Sequence, residues 1–302
     1  QSTLPTSCFD SCDGQAVLEV TGGDLPYSFS YLDASGNTVI TSSPNLSDLC
    51  AGPNVLSIIY GANCIESYNV DIPAPDSINI TSSIVNDVSC FGLTDGNLTI
   101  TVEGGVGTLD QSLLDQSGNT ADPNNLAAGQ YTMILTDDNN CSSSTDFGIQ
   151  EPALLEVMLE NSSPALCADI DNGQATITVT GGTYPYIYSW SNSTVIDSIN
   201  VSLAAGMSTV LVEDGQGCTE SFDVTITAPA TLDLTIIQDV EACDGLNENI
   251  AIPTITGGTS PYTFLWSDNS TDSIATSLPV GIQSLTVTDQ NGCIATADIM
   301  IT

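Results

Sequence analysis

A glycine pair recurs four times along the chain, at Gly22-Gly23, Gly104-Gly105, Gly181-Gly182 and Gly257-Gly258, and a cysteine stands 14 residues ahead of each: Cys8, Cys90, Cys167 and Cys243. A second glycine follows, at Gly52, Gly129, Gly206 and Gly281, and each lies 12 residues before a further cysteine: Cys64, Cys141, Cys218 and Cys293. The period is 76 to 77 residues, lengthened to 82 between the first and second copies. Four anchors in one register describe a tandem array, and a single fold of 302 residues would not produce them. The expected domains are 1–74, 75–151, 152–229 and 230–302.

Within each copy the pattern is that of β-strands. Asn97-Leu-Thr-Ile-Thr-Val102, Gln174-Ala-Thr-Ile-Thr-Val179 and Ser284-Leu-Thr-Val-Thr288 alternate with period two and are rich in β-branched residues. Turn residues separate them at the spacing of a sandwich, and no window carries a helical apolar stripe. The predicted fold is all-β: four Ig-like sandwiches, each with a disulfide. Pro73-Ala-Pro75, Glu151-Pro152 and Ala228-Pro229 are short, stiff joints between copies, so the expected object is a rod of four beads.

A sandwich of this size has a modest core, which cross-links would reinforce. The repeat register proposes Cys8–Cys64, Cys90–Cys141, Cys167–Cys218 and Cys243–Cys293, with Cys12 and Cys50 left as an extra bridge in the first copy. Four cysteines in that copy allow three connectivities. Zinc would compete for the thiols, but there is no Cys-x2-Cys pair and no histidine. Disulfides throughout imply an oxidising, extracellular setting.

The chain has no lysine, arginine or histidine, and its 37 acidic residues give a formal charge of −37. Without cationic side chains nucleic acid is repelled. Schiff-base lysines, P-loop lysines and histidine general bases are excluded. A trypsin-like protease finds no cleavage site. Catalysis would have to rest on carboxylate pairs alone, and nothing places two acids in one cleft. The chain is read as no enzyme, and no apolar span for membrane insertion is present.

Copies two to four open with a strand-like run ahead of their first cysteine: Ser77-Ile-Asn-Ile-Thr81, Leu154-Leu-Glu-Val-Met-Leu159 and Leu232-Asp-Leu-Thr-Ile-Ile237. The first copy starts seven residues before Cys8, so its first strand is expected to be missing. Either the chain is a segment of a longer parent array, or the first copy is an incomplete sandwich that a strand from another copy completes. No signal peptide or anchoring tail is recognisable.

The third copy combines Asp171-Asn-Gly-Gln-Ala175, Thr180-Gly-Gly-Thr-Tyr-Pro-Tyr-Ile-Tyr-Ser-Trp-Ser191, Leu203-Ala-Ala-Gly206 and Val212-Glu-Asp-Gly-Gln-Gly-Cys-Thr219. The fourth is close, with Thr256-Gly-Gly-Thr-Ser-Pro-Tyr-Thr-Phe-Leu-Trp-Ser267 and Val287-Thr-Asp-Gln-Asn-Gly-Cys293. The second keeps Cys90-Phe-Gly-Leu-Thr-Asp-Gly96 but has Val106-Gly-Thr-Leu109 for the aromatic segment, and the first keeps Pro26-Tyr-Ser-Phe29. This combination resembles the SprB-type repeat of Bacteroidetes surface proteins. The resemblance implies a long, secreted or cell-surface repeat protein, commonly exported by the type IX route and linked to adhesion or gliding. The sorting domain of that route is not present in the sequence.

Candidate sites are few. Tyr186, Tyr188 and Trp190, and likewise Tyr262, Phe264 and Trp266, share one face of a strand; they read as the buried centre of a sandwich, with a sugar-stacking platform at Trp190 and Trp266 as the competing reading. Asp137, Asp214 and Asp289 fall four residues before the second cysteine, and the expected bridges would bring them near Asp95 or Asp171. Those oxygens are candidate calcium ligands, against the simpler reading of turn-forming aspartates. Apart from calcium no cofactor is expected. Asp76-Ser-Ile, Asp197-Ser-Ile and Asp272-Ser-Ile resemble the O-glycosylation sequon of Bacteroidetes and nominate Ser77, Ser198 and Ser273. The expected function is a structural one: a surface filament or adhesin stalk, protease-resistant, whose partners are copies of itself or a longer parent chain. The alternative is a polysaccharide-binding adhesion module, with or without calcium.

Overall fold

The structure, a computed structural model, describes residues 1–62, 64–239 and 250–302, and every element among them is a strand. The chain divides into two compact units, Gln1–Glu151 and Pro152–Thr302.

The first unit opens with β1 (Ser2–Leu4), β2 (Gly14–Val17), β3 (Ser28–Leu32), β4 (Thr38–Thr41), β5 (Asn45–Leu49), β6 (Gly52–Tyr60) and β7 (Cys64–Ile72). They form two antiparallel sheets, β1-β2-β5 and β4-β3-β6-β7. Alternation along each strand aims one set of side chains inward. Ala16, Leu46 and Leu49 of one sheet meet Phe29, Tyr31, Leu56, Val70 and Ile72 of the other in a single core. A second sandwich follows: β8 (Asn79–Asn86) pairs with β9 (Asn97–Glu103), opposite the sheet of β10 (Asp110–Asp115), β11 (Gly129–Thr136) and β12 (Ser142–Ile149). Its core is built on Leu98, Leu113, Leu126, Met133, Leu135 and Ile149.

The second unit repeats the plan. β13 (Glu156–Ser163), β14 (Gly173–Thr180) and β16 (Ile199–Leu203) face β15 (Ile187–Trp190), β17 (Gly206–Glu213) and β18 (Thr219–Ile226) around Trp190, Val210 and Val212. β19 (Asp233–Asp239) and β20 (Ile250–Thr256) face β21 (Thr263–Trp266), β22 (Gly281–Thr288) and β23 (Ile294–Ile301) around Trp266, Leu285 and Val287.

Two glycine positions are dictated by contact. A Cβ on Gly173 would meet Ile226 Cγ2 at 2.4 Å and the Leu203 carbonyl at 2.9 Å, and the same approach recurs at Gly14 against Ile72. A Cβ on Gly181 would lie 1.8 Å from the Leu154 carbonyl oxygen, at a backbone φ of +70° that side chains disfavour.

The first strand of the first sandwich is not missing, as expected from the sequence, but short. Ser2, Thr3 and Leu4 pair with Val17, Ala16 and Gln15, whereas β8 and β13 each run eight residues.

Candidate functional site

The chemistry of the chain lies where the two sandwiches of each unit meet. There the disulfides are Cys8–Cys141 in the first unit and Cys167–Cys293 in the second, each with a Cα–Cα distance of 5.7 Å. Cys12–Cys50 forms as expected. Cys90 and Cys218 are both disulfide-bonded, and Cys64 is free and exposed. The within-copy pairings Cys8–Cys64, Cys90–Cys141 and Cys167–Cys218 are therefore corrected. Cys243 lies outside the described residues, but its expected partner Cys293 is engaged with Cys167.

The reason is geometric. Gly14, just past the first-cysteine loop, packs on Ile72, and Ile72 pairs with Gly52 at one end of the β6–β7 hairpin. Cys64 pairs with Tyr60 at the other end. Eight strand rises separate the ends by about 26 Å, far beyond the ~7 Å Cα separation that a disulfide spans. Gly96 packing on Ile149, which pairs with Gly129, repeats the arrangement in the second sandwich. The first and second cysteines of the first and second sandwiches thus face opposite ways, and within each unit the first-cysteine loop of the leading sandwich reaches the hairpin turn of the following one.

Each side of this junction is built the same way in both units. On the loop side, Asp13 Oδ1 accepts the Ser7 N–H at 2.9 Å, and Asn172 Oδ1 accepts the Leu166 N–H at 2.8 Å. The second sandwich has the same clamp, from Ser89 N–H to Asp95 Oδ1 at 3.0 Å. The Ser7 hydroxyl and N–H, with the Ser11 hydroxyl, hold the Asp13 carboxyl down at about 2. On the turn side, Asp137 Oδ1 accepts the N–H groups of Asn139 and Cys141, and Oδ2 accepts that of Val106, each at 2.9 Å. Asp289 does the same for Asn291, Cys293 and Thr259, and Asp214 for Gln216, Cys218 and Thr183. Burial pushes all three carboxyls up, but these N–H donors outweigh it and leave each below its ordinary value. Across the junction, the Asn139 amide donates to the Ser7 carbonyl at 2.9 Å, and Asn291 to the Leu166 carbonyl at 3.0 Å. These two asparagines escaped the sequence reading; their signal is the place two residues before the second cysteine.

The same contacts support the turn-forming reading of these aspartates over the calcium one. The oxygens of Asp137, Asp214 and Asp289 point at backbone N–H groups, Asp95 is engaged by Ser89, and Asp171 stands beside the residue that clamps the loop, Asn172. Among the described residues no three acidic or thiol side chains gather as a metal site.

Trp190 and Trp266 are 3 % and 2 % exposed, so neither offers a sugar-stacking face. Their indole N–H groups donate to the carbonyls of Asp197 and Asp272, both at 3.0 Å. That contact gives the Asp-Ser-Ile segments of the third and fourth sandwiches a structural role. Ser198 is half-buried and bonded to Asp197, Ser273 is exposed, and Ser77 sits ahead of β8 with its hydroxyl accepting the Asn79 amide. Tyr27, Tyr186 and Tyr262 donate to the first carbonyl of the glycine pair, at Gly22, Gly181 and Gly257.

A groove of about 610 Å³ opens in the first sandwich, lined by Leu18, Val20, Gly23, Tyr27, Tyr60 and Tyr68 among others. In the second sandwich the corresponding place is filled: Gly105 N–H bonds to the Asp76 carbonyl, Ile80 pairs with Val102, and Ile78 is buried. Among the described residues there is no helix long and apolar enough to cross a membrane.

No curated protein matches the chain. Among solved structures it is similar to the tetra-tandem repeat in the extending region of a large adhesion protein, with 15% identity over 99% of this chain and 98% of that one and a TM-score of 0.31. It is also similar to the N-terminal four Ig domains of Dscam1 isoform 6.44, with 12% identity over 91% of each chain and a TM-score of 0.22. The SprB repeat family model matches residues 1–36, 82–108 and 159–195. In three segments, one in each of the first three sandwiches, the chain is therefore similar to the SprB repeat.

Proposed function

We propose that this chain is an extracellular, adhesin-like structural repeat protein that forms, or belongs to, a surface filament or stalk, and that it catalyses nothing. The observation that carries the reading is the cross-sandwich disulfide. A bridge inside each bead would stabilise beads and leave their joints free; Cys8–Cys141 and Cys167–Cys293 instead lock one sandwich to the next. A chain stitched at its joints transmits tension, and one without lysine or arginine survives trypsin-like proteases. The SprB match supports a cell-surface setting, and the disulfides fit an oxidising one. The polysaccharide reading has lost its stacking platform with the burial of Trp190 and Trp266.

The groove of the first sandwich supports a finer statement. Leu18 and Val20 follow β2 where Ile100 and Val102, their counterparts in the second sandwich, are paired with β8. A strand from a neighbouring copy, apolar at alternate positions like Ser77-Ile-Asn-Ile80, would complete that sheet by β-augmentation.

Antibody against the chain, applied to intact cells and viewed by electron microscopy, tests the main reading. Labelled fibres on unbroken cells are expected; label that appears only after permeabilisation contradicts it. A peptide of residues 75–83 should raise the melting temperature of the chain if the groove takes a strand, and no shift at saturating peptide rejects strand addition.

A further inference from the structure

We propose that the cavity beside Cys8–Cys141 is a reaction site for small thiols, which open this junction while the matching bridge of the second unit stays closed. Both bridges join a first-cysteine loop to the hairpin turn of the following sandwich. Their surroundings differ. Cys167 and Cys293 are 6 % and 8 % exposed, whereas Cys8 and Cys141 are half-buried. A cavity of about 250 Å³ adjoins the first bridge, and the cavity in the same place of the second unit is about 100 Å³.

The residues around the two bridges account for the difference. The glycine pair fixes their correspondence: Gly104 is pressed on the Ser77 carbonyl and Gly257 on that of Thr231, so Asp76 answers to Ala230. Ser142 follows Cys141 where Ile294 follows Cys293. The first cavity is accordingly walled by the hydroxyls of Ser77, Ser142 and Ser143 and the carboxylates of Asp10, Asp76 and Asp137. The second has mostly aliphatic walls, among them Ala168, Ile170, Ala230, Leu232 and Ile294. A polar cavity of the larger size holds water, and a small thiol that replaces the water reaches the sulfurs. The buried bridge is reached only when its junction opens locally, and the small population of that open state divides its rate.

The reaction is thiol–disulfide exchange. A small thiolate attacks one sulfur of Cys8–Cys141, the S–S bond breaks, and the other cysteine leaves as a thiolate. A second small thiolate attacks the small sulfur of the mixed disulfide and releases the remaining cysteine. One protein disulfide is reduced to two thiols, two small thiols are oxidised to one small disulfide, and their two protons end on Cys8 and Cys141. Charge grades the thiols that do this. An entering thiolate meets three carboxylates at the first cavity and one, Asp169, at the second. Each carboxylate at ~8 Å in water slows an anion by roughly twofold, so a thiol carrying a positive group is favoured.

The test uses the full chain with Cys64 first blocked by N-ethylmaleimide. It is exposed to mercaptoethanol without denaturant, trapped at intervals with isotope-labelled iodoacetamide, cleaved at acidic residues and read by mass spectrometry, which puts Cys8, Cys141, Cys167 and Cys293 on separate peptides. Cys8 and Cys141 should label together, at least about tenfold faster than Cys167 and Cys293. At equal thiolate concentration and low salt, cysteamine should open Cys8–Cys141 a few-fold faster than mercaptoethanesulfonate. Asp76→Ala, patterned on Ala230, should narrow that gap and leave Cys8–Cys141 the faster bridge. Equal rates at the two bridges, or a faster Cys167–Cys293, would overturn the proposal. So would a Cys8–Cys141 rate that climbs with urea in step with that of Cys167–Cys293, since both would then wait on unfolding. Identical rates for cysteamine and mercaptoethanesulfonate would rule out the carboxylate-walled cavity as the place of attack.

Discussion

The hairpin turns at Tyr60–Cys64 and at Asp289–Cys293 occupy equivalent places in two sandwiches and do different work. At the second, the Asp289 carboxylate gathers three backbone N–H groups, Asn291 crosses to the Leu166 carbonyl, and Cys293 is bonded to Cys167. At the first, Tyr60 stands where the aspartate would be, Ala62 where the asparagine would be, and the cysteine is free. The same contrast extends to the glycine pair. Gly181 is pressed on the Leu154 carbonyl, whereas Gly22 has nothing within 4 Å. The difference teaches that the turn is furnished where a neighbouring sandwich docks. The furniture is also the only kind open to this chain: with no cationic side chain, a carboxylate can be held only by N–H and O–H donors.

Breaking the bridge should have the largest effect. A closed loop with a sequence separation of 126 is worth about 5 kcal/mol in the chain-entropy model, so Cys167→Ser with Cys293→Ser should lower the urea midpoint by the equivalent of that amount. A matching Cys64→Ser substitution should leave the midpoint where it is. Next come the glycines: Gly181→Ala forces the backbone apart and should cost about 3 kcal/mol, at the upper end of ordinary single substitutions. Gly22→Ala meets no neighbour and carries only the cost of its positive φ, about 1–2 kcal/mol, as thermal melts of the two variants would show. Asp289→Ala strands three N–H groups and should lower the melting temperature more than Tyr60→Ala does; equal shifts would mean that the carboxylate does little. The smallest effect is that of acid. Folded Asp13 titrates at about 2 against an unfolded value of 3.8, and Asp137, Asp214 and Asp289 are shifted the same way. The unfolded chain binds more protons, so this stability is present above pH ~4 and is lost as pH falls toward ~2. Amide protection at Cys141 and Cys293, taken relative to the intrinsic exchange rate at each pH, should fall over that window, and protection at Cys64 should fall less.

Much of this architecture is legible in the sequence. Alternation along 97–102 and 174–179 locates strands, the stripe ending at Trp190 and Trp266 reads as core, and Cys12–Cys50 follows from the two cysteines outside the register. The junction is not legible there, because a repeat is indifferent to which copy supplies a partner. Loops with separations of 51 and 133 differ by less than about 1 kcal/mol in closure entropy, so only the direction in which each end of the sandwich faces decides between them. The full role of the aspartates is hidden for a related reason. Their spacing to the second cysteine is visible, but the backbone N–H groups that claim their oxygens come from Val106, Thr183 and Thr259, some 30 residues away in sequence. The loop clamp falls on Asn172 and not on Asp171 because the third copy carries an amide where the first two carry a carboxylate.

The direct test of the cross-sandwich account is a disulfide map of the unreduced chain, cleaved at acidic residues and read by mass spectrometry. Peptides joined as Cys8–Cys141 and Cys167–Cys293 are the predicted result. Peptides joined as Cys90–Cys141 and Cys167–Cys218 would return the bridges to the inside of each sandwich and contradict it.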